Sequence, residues 1–159
     1  MQRIGFTLMI LLGTLSTVQA AVPKKVLNAC KSLASVVTYG NDGKMISTSV
    51  AFTLGEKGEC VSEYTAFHNA RSAEYIDESG KKQKVSRING ASDIYDVIKF
   101  SLDTKSKEFL AVAKAASPQG SAVYILRKGS AKKPEAVASK INVKKDVSGG
   151  TYYELALPY

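Results

Sequence analysis

The sequence predicts an all-β domain, a barrel or a sandwich, preceded by one short helix. Three observations carry that reading. Ten short runs rich in β-branched and aromatic residues follow one another between Ser35 and Leu157. Clusters of Gly, Asn, Asp, Ser and Pro separate them, as turns require. No helical pattern lies between the runs, so the βαβ alternation of a parallel sheet is missing.

The helix comes first. Val26, Leu27, Cys30 and Leu33, within Pro23–Ser35, recur at a 3.6-residue spacing, which puts an apolar stripe on one helix face. Ser35–Tyr39 is the first strand and runs into Gly40-Asn41-Asp42-Gly43, a strong hairpin turn. Met45–Leu54 follows, then a Gly55–Gly58 turn and the strand Cys60–Tyr64. Glu74–Asp77, Gln83–Asn89 and Val97–Leu102 complete a first group. Residues 103–108 (DTKSKE) are polar and charged and read as a linker. Phe109–Ala113, Ala122–Arg127, Ala136–Lys144 and Thr151–Leu157 form a second group. The chain has no internal repeat and no low-complexity tract.

Residues 1–20 have the three parts of a secretory leader. Arg3 gives the positive start, Ile4–Leu15 the apolar stretch, and Val18-Gln19-Ala20 the small-residue cleavage site. The apolar stretch is twelve residues long, short of the ~20 that a spanning helix needs. An uncleaved anchor is the competing reading. No Cys follows the cleavage point, so a lipoprotein anchor is not expected. Cleavage leaves 139 residues and removes Arg3 alone among the charged groups, lowering the net charge from +8 to +7. That length suits one domain able to bury its own core, and no later segment is apolar enough to cross a membrane. The expected location is the periplasm or the exterior.

The positive charge is scattered in pairs, Lys24-Lys25, Lys81-Lys82, Lys132-Lys133 and Lys144-Lys145, as solvated edge and loop charges are. No RNA-binding signature or zinc-finger spacing accompanies them, so no nucleic-acid partner is expected. Cys30 and Cys60 could form one disulfide in an oxidising compartment, or remain small buried apolar side chains. Two cysteines without companion ligands make no zinc site, and no cofactor is expected.

The order of pieces resembles secreted bacterial trypsin-like serine proteases of the periplasmic high-temperature-requirement type. The residues that carry the resemblance are Ser35-Val36-Val37, Ser49-Val50-Ala51-Phe52-Thr53-Leu54, Gly58 to Val61 and Gly90 to Phe100. They match S-V-V, G-S-G-F-V-I, the start of G-Y-I-V-T-N-x-H-V-V-x-G-A, and G-x-D-x-x-x-D-L-A-V-L-K, over roughly residues 34–159. Ser49 and Ala51 stand where the family has glycine. The resemblance implies a trypsin-like double antiparallel β-barrel, two six-stranded barrels with the active site between them. Its layout would be a signal peptide 1–20, an N-terminal helix 21–34, a complete first barrel 35–102, a linker 103–108 and an incomplete second barrel 109–159.

Such a protease needs a Ser nucleophile, a His to take its proton and a buried Asp to fix the His tautomer. Asp96 fills the Asp position, six residues after Gly90, and Val97-Ile98-Lys99-Phe100 matches the following strand. Counting from Gly58 without a gap, the His position falls on Thr65, and Asn69-Ala70 then matches Gly-Ala. A Thr hydroxyl cannot serve as a general base near neutral pH. The chain's one histidine, His68, lies three residues on; a short helix would put it on the Thr65 face, but about one turn, ~5 Å, along the axis. Ser121, Ser130 and Ser148 lie outside any G-x-S-G turn, and the chain stops where that turn would follow.

The expected function is that of an exported, non-catalytic trypsin-like domain, a pseudoprotease or the front of a longer protein, holding a peptide or protein in the inter-barrel cleft. The first rival is an active serine endopeptidase using His68 and Asp96 with a Ser beyond Tyr159. The second is an unrelated secreted β-barrel binding protein.

Overall fold

A computed structural model describes residues 21–128, 134–147 and 150–156. The predicted leader, Ser130, Ser148 and Leu157, the last residue of the predicted Thr151–Leu157 strand, lie outside these described residues.

The N-terminal helix α1 is Lys24–Ala29, followed by a 3₁₀ turn at Cys30–Ser32. It is shorter than the predicted stripe. The backbone is already extended at Leu33, where strand β1 begins; Cys30 and Leu33 are buried and Leu27 is exposed.

Six strands form a closed barrel: β1 (Leu33–Tyr39), β2 (Met45–Leu54), β3 (Glu59–Ser62), β4 (Ser72–Ile76), β5 (Lys82–Ser92) and β6 (Val97–Leu102). Their order around the barrel is β1-β2-β3-β6-β5-β4, and every pair is antiparallel. Closure leaves the barrel no edge strand, only short unpaired strand ends. The period-2 pattern is cleanest in β6, where Ile98, Phe100 and Leu102 point inward, as one-sided burial demands. They meet Ala34, Val36, Ala51, Cys60 and Tyr75 in one core cluster, with Tyr64, Phe67 and Val85 packed against it. β5 reaches eleven residues because two irregularities, at Val85/Arg87 and Ile88/Gly90, bend it along β6, which is the role of β-bulges in closing barrels.

Three further strands, β7 (Ala122–Lys128), β8 (Pro134–Val147) and β9 (Gly150–Leu155), make an antiparallel sheet in the order β7-β8-β9. The first half of β8 pairs with β7 and the second with β9. This is the expected all-β trypsin-like architecture, with one complete barrel and an incomplete second one. The predicted strand Phe109–Ala113 does not form. β1 starts opposite Phe52, so only the end of β2 is left open on that side. The chain makes a single bridge there, Leu110 to Leu54, with Leu110 N–H donating to the Thr53 carbonyl at 2.9 Å.

Cys30 and Cys60 are unpaired thiols, both buried. Cys60 lies in the barrel core, where burial pushes its thiol pKa up to about 11.

Candidate functional site

Asp96 and Thr65 touch at the end of the barrel where β3 leaves and β6 enters. The Thr65 backbone N–H and its Oγ1 hydroxyl each donate to Asp96 Oδ1 at 2.7 Å. The Tyr64 N–H donates to the Asp96 carbonyl at 3.2 Å, continuing the β3–β6 register past Ser62 and Ile98. Asp96 adopts the left-handed backbone region, φ 48°, which Asp tolerates better than most side chains. That conformation closes the turn from Asp93, whose carbonyl accepts the Asp96 N–H at 3.3 Å.

The segment bearing Thr65 is a 3₁₀ turn, Thr65–Phe67, held from inside the barrel. Buried Thr38 on β1 donates its hydroxyl to the Ala66 carbonyl at 2.8 Å, and Phe67 packs on Phe100 with ring centroids 5.6 Å apart. The Asp96 carboxylate thus caps this turn from the neighbouring β5–β6 turn. The Thr65 hydroxyl and N–H, in that order, hold its pKa below the ordinary carboxylate value, and the His68 charge adds a small contribution. At neutral pH Asp96 is an anion and an acceptor only.

His68 takes a different place from a triad base. The turn ends at Phe67, and His68 leaves it extended, φ −58°, ψ 128°. Its ring stacks edge-on against Tyr64 at 4.8 Å, and among the described residues no hydrogen bond joins it to Asp96. The shared face that a continued helix would have given is therefore not formed. Asp96, Thr65 and His68 are all exposed, whereas a triad needs its Asp buried. Ser121 donates its hydroxyl to the Pro118 carbonyl at 2.7 Å, a loop contact at the start of β7. Ser130 and Ser148 lie outside the described residues.

The second sheet comes close to this site through aromatic contact. Tyr95 packs on Tyr152 of β9 with centroids 6.4 Å apart. Ile94 beside it is 83 % exposed, and Tyr95, Val97 and Tyr152 are also exposed, so an apolar strip flanks Asp96. A second contact between the sheet and the barrel is the Lys128 ammonium of β7 donating to Ser35 Oγ of β1 at 2.8 Å. The roles of Thr38, Tyr95 and Tyr152 were not read from the sequence: a Thr inside an alternating strand and a Tyr beside a turn look like ordinary strand and turn residues. Chemically, the site offers a fixed carboxylate, a Thr hydroxyl committed to it, and exposed apolar rings. Among the described residues no group of three or more His, Cys, Asp and Glu side chains could hold a metal, and no described helix is long and apolar enough to cross a membrane.

No protein-family model matches the chain, and no curated protein matches it in sequence. Solved structures do. A serine endoprotease from Yersinia pestis is 12% identical with a TM-score of 0.61, over 77% of this chain and 46% of that one. The HtrA-type protease AlgW, a variant solved with a tripeptide, is 13% identical with a TM-score of 0.63, over 79% of this chain and 40% of that one. The chain therefore spans less than half the length of either protein. What it shares with them, across a closed barrel and an adjoining open sheet, is the trypsin-like fold.

Proposed function

We propose that this chain is an exported, non-catalytic trypsin-like domain that holds an extended peptide between its barrel and its second sheet. In this reading Asp96 occupies the family's Asp position and Thr65 its His position. The barrel unit is residues 35–102 and the partial second unit 109–159, joined by 103–108 and preceded by the leader 1–20 and the helix 21–34. The observation that carries it is the pair of bonds from Thr65 to Asp96 Oδ1. The residue aligned with the missing base makes a contact to the carboxylate of the kind a triad His makes, yet cannot accept a proton near neutral pH.

Peptide holding needs less than catalysis does. Strand addition at a sheet edge draws its affinity from main-chain hydrogen bonds and its selectivity from side-chain pockets. The outer edge of β9 is free of a described partner strand, and Tyr95, Val97 and Tyr152 offer apolar surface next to Asp96. One of the similar structures was solved with a tripeptide. The second reading, an active endopeptidase, draws on the nearness of His68, whose charge acts on Asp96.

A fluorophosphonate probe separates the two. The proposal expects no labelling of the purified protein. Labelling that His68→Ala abolishes and Thr65→Val leaves intact would put His68 in the base position and overturn it.

A further inference from the structure

At the opposite end of the barrel lies an open cleft of about 670 Å³. β6 separates it from Asp96: Asp96 precedes the strand's first residue, Leu102 at its end lines the cleft, and six residues of strand span roughly 17–20 Å. The volume falls in the ~300–1,000 Å³ range of small-molecule sites.

The cleft has a buried polar floor and a rim of mixed charge, four lysines against three carboxylates. Thr53 and Tyr75 line it, are 1% and 5% exposed, and hydrogen-bond to each other at 2.9 Å. Thr53 Oγ1 also lies 3.8 Å from Cys60 Sγ, which lies 3.7 Å from the Gly58 carbonyl. This chain of hydroxyls and thiol can be satisfied with its protons running toward Gly58. It can equally run the other way, with Thr53 donating to Tyr75 and the phenol donating outward into the cleft. Burial pushes the Tyr75 pKa up to about 12, so the phenol keeps its proton.

Lys31, Lys81, Lys105 and Lys107 stand around this floor. Among the described residues none of the four is in an ion pair. Three carboxylates share the lining, Asp77, Glu78 and Glu108. Asp77 is turned into its own hairpin, where Oδ1 accepts from the Ser79 and Lys81 N–H groups and from the Ser79 hydroxyl. The far wall is fixed as well. Thr104 hydrogen-bonds Gln83, and Ser106 N–H donates to the Glu56 carbonyl at 3.1 Å. Charge alone would leave a set of hydrated lysines; a buried donor at the centre of that set gives an anion a fixed point of contact.

We infer that this cleft binds a small multivalent anion, with the Tyr75 hydroxyl as its buried donor and Lys31, Lys81, Lys105 and Lys107 as its counter-charges. Phosphate esters and polycarboxylates share that chemistry. A hydrogen bond to a charged group is stronger than one between neutral groups, so Tyr75 contributes selectivity that exposed lysines lack.

Titration of the ¹⁵N-labelled protein with inorganic pyrophosphate, and separately with citrate, tests the inference and distinguishes the two sources. Saturable amide shifts are expected at Thr53, Tyr75, Lys81, Gln83 and Thr104, with Thr65 and Asp96 unmoved. Tyr75→Phe is expected to weaken binding about tenfold or more. If that variant fails to fold, Lys81→Ala combined with Lys105→Ala alters only exposed side chains and must weaken binding too. Three results would overturn the site: no saturation with either anion, shifts spread evenly over lysines of the whole surface, or affinity unchanged in the folded variants.

Discussion

Gly58→Ala is a sharp test of how the barrel fixes the segment beyond β6. Gly58 has φ 74°, and a Cβ there would lie 2.2 Å from the Thr104 carbonyl oxygen and 3.2 Å from that of Leu102. An ordinary carbon–oxygen contact is about 3.3–3.6 Å, so the Thr104 carbonyl would have to retreat by roughly 1 Å. Bonds from Leu102 N–H to the Gly58 carbonyl at 3.0 Å and from Ser106 N–H to the Glu56 carbonyl at 3.1 Å oppose that retreat. Gly43→Ala is the control, since Gly43 has φ 73° and nothing within 4 Å of the added methyl. Both variants bear the left-handed backbone cost of about 1–2 kcal/mol. Gly58→Ala adds an overpacking cost of about 1–3 kcal/mol. At about 3–5 °C per kcal/mol for a domain of this size, thermal unfolding followed by far-UV circular dichroism should separate them clearly. Urea unfolding should show a lower midpoint with an unchanged slope. Equal losses in the two variants would refute the idea that Gly58 is required for close backbone approach.

Phe100 is fully buried and stacks on Phe67 beneath the Thr65 turn, so Phe100→Ala should cost about 3–5 kcal/mol, measured by urea unfolding; a loss below 1 kcal/mol would contradict the core assignment. The depressed Asp96 pKa has a definite sign. The stability it contributes is fully present above the unfolded carboxylate value of about 3.9 and fades as pH falls through the lower folded value. NMR titration of the Asp96 carboxyl should therefore show a midpoint below the ordinary one, moving up in Thr65→Val; no movement would deny the hydroxyl its leading part. Cys60, with a thiol pKa of about 11, and buried Cys30, whose pKa burial also raises, should resist iodoacetamide at pH 8 and alkylate together once denatured. A mass two protons lower, with no alkylation after unfolding, would show them joined.

Much of the barrel was legible because its residues alternate. Ile98, Phe100 and Leu102 announce an inward face, and Gly40 to Gly43 announces a hairpin between β1 and β2. Closure came from the family resemblance and not from the alternation, since the pairings of β1 with β4 and of β3 with β6 join strands far apart in sequence. Phe109–Ala113 misled for another reason: its apolar pattern suits a strand, but β2 has too little open edge to pair with it. At the site, family spacing brought Asp96 and Thr65 to the same place, and they touch. The spacing carried no sign of Asp96's exposure, of its left-handed backbone, or of His68 turning away to stack on Tyr64. The first two follow from the tight Asp93–Asp96 turn into β6, and the last from the 3₁₀ turn stopping at Phe67; the family spacing encodes neither.

The most direct test of a peptide-holding, non-cutting domain is mass spectrometry of a mixed peptide pool incubated with the immobilised protein. Retained peptides of unchanged mass, competing with one another and lost on Tyr152→Ala, are expected. Cleaved fragments in the eluate, or no peptide retained above a denatured control, would contradict it.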